Sequence, residues 1–225
     1  MTASRAPRRD AAENRSALLD AARGLLNRDP AASLEAIASA AGLSRRTVYG
    51  HFPTRDALLA ALAERGTTRV VASVAGIADA DPVARLALIA AAAWDEVAAI
   101  RVMTMTTLAS SRAAIVDDGL APLRHRLAEA IAEGSAAGRL RNDMPAARVA
   151  RLVEDAVVAS FPLTIREALD ADAGRLLVVR VALGVAGLGW REVAALLDAR
   201  PDIVAPRPRE EALWPPTDAL RTVTP

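Results

Sequence analysis

The stretch "GLSRRTVYGHFPTRDAL", residues 42–58, sets arginines and a histidine among apolar residues spaced for a short helix. Ser44 is a good N-cap, because its hydroxyl can accept a free N–H of the first turn. Leu43, just before that cap, lies at the offset from which it can pack on Val48 as a hydrophobic staple. Pro53 stops the helix and Thr54 caps the next one. With Val48 taken as the inward direction and about 100° per residue around the axis, Phe52 falls on the inward side. Arg46 and Gly50 then point outward, Thr47 and Tyr49 flank them, and Arg45 falls nearer the buried edge.

That outward face is rich in hydrogen-bond donors. An outward guanidinium can fork onto guanine O6 and N7, and Thr47 can meet a thymine methyl or a phosphate. Gly50 removes the side chain where the helix would approach a duplex most closely. Tyr49 and His51 end in donors suited to phosphate oxygens, and Arg55 lies in the first turn of the next helix, where free N–H groups also favour phosphate. Taken alone, Arg45 and Arg46 describe an ordinary solvated face. The conjunction of cap, glycine turn, inward Val48 and Phe52, and donors confined to the other side points to DNA. Residues 1–60 carry nine arginines against six acids, a local excess on a chain whose formal charge is only +1, so nucleic-acid binding depends on a patch.

Outward from this segment, Leu18, Leu19, Ala22, Leu25 and Leu26 keep one helical face between residues 14 and 27. Pro30 ends that helix. Ser33 caps a second one, "LEAIASAA", with Glu35 in its first turn, where the helix dipole favours an acid. Gly42 breaks it. The fourth helix runs through "RDALLAALAERGTTRVVASVAG". Two helices joined by a tight glycine turn and preceded by a supporting helix form a helix-turn-helix unit.

The segment "SLEAIASAAGLSRRTVYGHFPTRDALL", with the preceding "LLDAARGLL", resembles the DNA-binding region of the TetR family of bacterial transcriptional regulators across residues 15–62. The resemblance implies base contacts at Arg45, Arg46 and Thr47. It implies phosphate contacts at Tyr49, His51 and Arg55, and the capping hydroxyls of Ser33, Ser44 and Thr54 join that expected set. Many relatives have glycine where Arg46 stands, and Asp29 and Pro30 replace the usual glycine-bearing loop.

Beyond residue 60 the chain reads as an all-α body, with helices expected at about 82–100, 101–113, 118–136, 146–170, 173–187 and 190–199. The expected organisation is a disordered basic arm at 1–12, a helix-turn-helix domain at 13–60, a helical effector-binding and dimerisation domain at 61–200, and a proline-rich tail at 201–225. Single short recognition helices read few base pairs, so such proteins bind as dimers to half-sites one helical turn apart. Leu152, Val153, Val157, Leu176, Val179 and Leu183 are the expected dimer residues, on two helices greasy enough that a monomer would struggle to cover them, although burial of the two against each other within one subunit is the alternative. Pro162 is expected to kink the first of that pair. The resemblance implies a homodimer whose central helices surround an effector cavity. Candidates for its lining are Trp94, Met103, Met105, Leu108, Leu123, Leu127 and Phe161, with Arg101 and Arg112 as polar contacts.

Composition narrows the rest. The chain has no cysteine and two histidines far apart in sequence, which leaves no thiolate metal site or disulfide framework, and no metal or cofactor is expected. The amino terminus lacks the apolar core of a secretory signal, so the expected location is the cytoplasm. The longest greasy run, "VARLALIAAAAWDEVAAI", is broken by charges and reads as a buried helix rather than a membrane span. An enzyme is not expected, since no cysteine nucleophile, metal-ligand cluster or glycine-rich phosphate loop is present. The pair His125 and Glu129 reads as a surface i, i+4 contact. The expected function is a TetR-like regulator, a repressor on a palindromic operator in double-stranded DNA, released by a small hydrophobic effector of unspecified identity. The alternative is a ligand-independent DNA-binding regulator or activator controlled by a protein partner.

Overall fold

The computed structural model describes residues 6–98 and 113–205. All regular structure within them is helical. The first helix, α1 (Ala6–Arg28), begins well before residue 13, which corrects the expectation of a disordered arm over residues 6–12. The sequence there is rich in helix-forming alanine and arginine, and Pro7 sits in the first turn, where its missing N–H has no helical partner to lose.

Leu18, Leu19, Ala22 and Leu26 are buried along one face of α1. The Asp29 carboxylate accepts from the Ala31 N–H at 3.0 Å and closes the turn after the helix. In α2 (Leu34–Ala40) the Ser33 hydroxyl accepts from the Ala36 N–H at 3.2 Å. The helix ends in a Schellman motif: Leu43 N–H donates to the Ala38 carbonyl and Gly42 N–H to Ser39, with Gly42 at φ +67. That left-handed conformation suits glycine. The chain turns within four residues into α3 (Arg45–His51), capped by Ser44, and then α4 (Arg55–Ala75), capped by Thr54 through the Ala57 N–H at 3.1 Å.

Two cores result, and α4 belongs to both. Leu58, Leu59 and Leu62 join Ile37, Val48, Phe52 and the leucines of α1. Further along the same helix, Val70 and Val74 join the core of the body. At the centre of that body α5 (Pro82–Val97) is buried on almost every side, as its continuous apolar run predicts. It packs against α4, α7 (Ala121–Ala136) and α9 (Ala171–Val185).

Between α5 and α7 lies α6 (Ala113–Gly119), which leans on α4 where Gly119 meets Thr67; a Cβ at Gly119 would stand 2.4 Å from the Thr67 hydroxyl oxygen. The break expected at "DDG" thus falls at Leu120, and the expected helix at 101–113 lies almost wholly outside the described residues. Helix α8 (Ala146–Arg166) continues through Pro162, whose missing N–H leaves the Val158 carbonyl without its helical donor. It ends at Arg166, earlier than expected, in another Schellman motif. Here Leu169 N–H donates to the Thr164 carbonyl and the left-handed residue is Ala168, at φ 49.

The chain finishes with α10 (Trp190–Ala199) and a 3-10 turn at Pro201–Ile203. The proline-rich segment is therefore anchored at its start. Ile203 is buried, and the buried Arg175 guanidinium donates to the Ala205 carbonyl while pairing with Asp95 at 2.5 Å. Residues 206–225 lie outside the described residues.

Candidate nucleic-acid interface and apolar cavity

In α3 the inward anchors are Val48, fully buried, and Phe52 just past the helix end. Arg45, Arg46, Tyr49 and Gly50 are exposed and Thr47 is half-buried. The Ser44 hydroxyl accepts from the Thr47 N–H at 3.1 Å and lies 2.8 Å from the Thr47 hydroxyl, so the cap also fixes the Thr47 rotamer. Arg45 departs from its expected place near the buried edge. Its side chain is 74% exposed, because it stands in the first turn of a short helix, beyond the cover of α2.

An acid organises this outer face. The Tyr49 hydroxyl donates to Glu35 Oε1 at 2.7 Å. Arg45 pairs with the same oxygen at 3.2 Å, and its guanidinium lies 5.5 Å from the Tyr49 ring centroid. The Tyr49 hydrogen bond, chiefly, with Glu35's own backbone N–H and the Arg45 charge, holds the Glu35 carboxyl below its ordinary value. Sequence reasoning gave Glu35 only a helix-dipole role; its reach across to α3 depends on the crossing of the two helices.

Arg55 is engaged elsewhere. Its Nε donates to the Ala32 carbonyl at 3.1 Å and its Nη2 to the Pro30 carbonyl. The first turn of α4 thereby ties down the loop between α1 and α2, where Asp29 and Pro30 stand. His51 is half-buried beside Phe52, and Arg15 of α1 covers that phenylalanine at 5.1 Å from its centroid.

Within the body, α4, α5, α6, α7 and α8 line a partly open apolar cavity of about 100 Å³. Trp94, Leu123, Leu127 and Phe161 form part of its wall. The Trp94 and Phe161 rings meet at 5.7 Å with a 60° tilt, and the indole N–H donates to the Ala171 carbonyl at 2.8 Å. Gly174 gives the indole its room, since a Cβ there would lie 2.1 Å from the ring. One ionisable residue, Glu154, shares the wall. Its side chain is 11% exposed and meets Arg124 at 3.0 Å. Burial pushes this carboxyl up, against the opposing effect of Arg124.

Comparison with known proteins bears on both features. The sequence profile described as "Bacterial regulatory proteins, tetR family" matches residues 18–62, the span that carries α2, α3 and their glycine turn. Residues 18–62 are thus a TetR-family DNA-binding segment. Its fold matches that of the fatty acid degradation regulator FadR from Bacillus halodurans, with a TM-score of 0.65 at 19% identity, over 77% of this chain and 99% of that one. SmeT, the repressor of the Stenotrophomonas maltophilia multidrug efflux pump SmeDEF, superposes with a TM-score of 0.59 at 22% identity, covering 76% of this chain and 88% of that one. A TetR transcription regulator from Haloarcula marismortui gives 0.63 at 22% identity, over 78% and 97% of the two chains. No curated sequence matches the chain. TetR-family proteins are regulators rather than enzymes, and none of the helices among the described residues is long and apolar enough to cross a membrane.

The structure redistributes several expected residues. Val153, Val179 and Leu183 are buried inside the subunit, which corrects their assignment to a dimer surface. α9 is apolar on two sides, and the side carrying Val179 and Leu183 turns toward the body core, with α5 and α8 as the helices α9 packs against most. Leu152 is exposed, and Val157 and Leu176 are half-buried; Val157 also reaches the cavity. Arg101, Met103, Met105, Leu108 and Arg112 lie outside the described residues. His125 and Glu129 form the expected exposed contact at 3.3 Å. Glu154 went unnoticed in the sequence because an acid on an amphipathic helix reads as solvated, and its partner Arg124 stands thirty residues away.

Proposed function

We propose that this protein is a TetR-family regulator, a dimeric repressor that binds a palindromic operator through α3 and is released when a small, mainly apolar molecule occupies the cavity of the body. The observation that carries this reading is the double membership of α4. One helix supplies Leu58, Leu59 and Leu62 to the DNA-binding core and Val70 to the cavity wall, so a change in packing around the cavity is passed to the core that also holds Val48 of α3. Arg45, Arg46 and Thr47 read bases. Ser33, Ser44, Tyr49, His51 and Thr54 meet phosphates, and Arg55 serves chiefly by fixing the loop next to them. On binding, Arg45 leaves Glu35 for a base edge and Tyr49 leaves it for a phosphate.

The exposed Leu152, with Val157 and Leu176, supports a dimer seam built from α8 and α9. A ligand shifts the DNA-binding equilibrium only as far as it prefers one packing over the other. Stearoyl-CoA, which occupies the FadR of Bacillus subtilis, is far larger than a cavity of about 100 Å³, so that ligand is not carried over to this chain.

The test begins with selection of bound fragments from genomic DNA, followed by gel shifts at fixed salt. The double variant Arg46→Ala with Tyr49→Ala is expected to lose binding to the selected site by about tenfold or more, the scale of one good base contact and one phosphate contact. Unchanged affinity would sink the reading of α3, and recovered sites without two-fold symmetry would sink the dimer.

A further inference from the structure

The cavity wall carries a chemical preference. Apart from Glu154, every residue that forms it among the described residues is apolar. Among the described residues, the Glu154 carboxylate receives two hydrogen bonds, both from Arg124 Nη1, at 3.1 and 3.0 Å. The same guanidinium also serves α6: Nη1 lies 3.4 Å from an Asp117 carboxylate oxygen and Nη2 donates to the Asp117 carbonyl. Asp117 in turn pairs with Arg151, which lies 3.5 Å from Asp155. The connected cluster thus holds two guanidinium groups and three carboxylates, an excess of one negative charge. A carboxylate has about four acceptor positions, and Arg124 fills two of those on Glu154.

From this we infer that the cavity selects small apolar molecules bearing one cationic amine, with the ammonium on Glu154 and the hydrocarbon against Trp94, Leu127 and Phe161. The inference rests on the reading of the cavity as an effector site. An ammonium brings three donors and the missing positive charge. A carboxylate ligand would instead meet Glu154 across a low-dielectric cavity, where like charges repel far more than in water. A purely apolar ligand leaves the acid uncompensated. That the Glu154 carboxyl is pushed up by burial even with Arg124 bound to it fits a site that one cation does not fully satisfy. Size narrows the class further: a dry engineered cavity of about 150 Å³ takes benzene, so a cavity of about 100 Å³ suits a single ring with slight adjustment, or less.

Calorimetry on the full chain at neutral pH, with benzylamine, toluene and benzoate as probes of similar shape, tests this. Benzylamine is expected to bind at least about tenfold more tightly than toluene, the scale of a hydrogen bond to a charged group, and benzoate more weakly than either. Glu154→Gln should bring benzylamine to the level of toluene and leave toluene unchanged. Leu127→Trp, which fills the cavity, should abolish both. If Glu154→Gln does not fold, the wild-type ranking of the three probes decides by itself. Toluene or benzoate binding as well as benzylamine overturns the inference, as does benzylamine binding that survives in Glu154→Gln or the absence of binding by all three. Operator affinity is measured in parallel: benzylamine that binds through Glu154 without changing that affinity supports the ligand class and refutes release by effector. No probe binding, with the operator still held, refutes the ligand class while DNA recognition stands.

Discussion

The Schellman motifs that end α2 and α8 make a reciprocal pair. At the turn between α2 and α3 the left-handed residue is Gly42, φ +67, and a Cβ there would meet nothing within 4 Å. At the end of α8 the corresponding residue is Ala168, φ 49. A Cβ in this conformation costs roughly 1–2 kcal/mol from its clash with the following carbonyl. Alanine also restricts the unfolded chain, which offsets some 0.4–1 kcal/mol. Gly42→Ala should therefore destabilise by about 1 kcal/mol net, and Ala168→Gly should stabilise by up to about the same amount. Each shift corresponds to about 2–4 °C in melting temperature for a chain of this size. Gly42→Asn should fall between glycine and alanine, because asparagine tolerates the left-handed region. Thermal and urea unfolding of the three variants measures this. Since the space around Gly42 is open, a loss above about 3 kcal/mol in Gly42→Ala would mean that packing rather than backbone geometry sets the residue. A destabilised Ala168→Gly would refute the reasoning at the other site.

Three further outcomes follow from contacts elsewhere. Glu35→Gln weakens the hold on Tyr49 and Arg45, so it should tighten DNA binding several-fold across all sequences and steepen the salt dependence by up to about one unit of slope; weaker binding would mean that Glu35 preorganises the face instead. Gly174→Ala drives a methyl into the Trp94 ring, 2.1 Å away, and overpacking of that kind costs about 1–3 kcal/mol. Its melting temperature should fall, and an unchanged value would show that the indole can retreat into the cavity at no cost. The third outcome concerns acid. Arg151 holds Asp117, and Arg200 holds Asp79 and Asp202, below their ordinary values. Their contribution is complete above about pH 4 and is lost as pH falls through the lowered values. Glu154 has the opposite sign: its carboxyl is raised, so it favours the fold fully below its ordinary value and loses that contribution as pH rises through the raised one. Urea midpoints should therefore rise slightly on mild acidification and fall below about pH 4, with Glu154→Gln removing the rise alone.

The helix-turn-helix was legible because its determinants are local. Ser44, Gly42, Val48 and Phe52 act within one or two turns of themselves, and the structure places each as the spacing implies. Leu43 sits half-buried against the amino-terminal core, in keeping with a staple. The body was less legible, because the face of α9 that turns inward depends on α5, some eighty residues earlier. Periodicity marked α9 as apolar on two sides but could not rank them, so Val179 and Leu183 went to the wrong one. Arg175 shows the same limit. Its charge lies in a greasy helix and reads as a surface residue, yet it is 2% exposed, held by Asp95 from the central helix. Where a side chain's partner is distant in sequence, composition identifies the residue and leaves its role open.

The length of α4 has a mechanical consequence. Its 21 residues make a rod of about 30 Å at 1.5 Å per residue, with Val70 at the cavity and its first turns in the core that holds Val48 of α3. From Val70 to its first residue the rod runs about 22 Å, so a tilt of about 5° at the cavity carries the far end by about 2 Å. In a two-fold assembly the mirrored displacement of the second rod doubles the change in separation between the two reading heads. In the proposed dimer, a small ring at the cavity would thus act on a spacing measured across a whole turn of DNA.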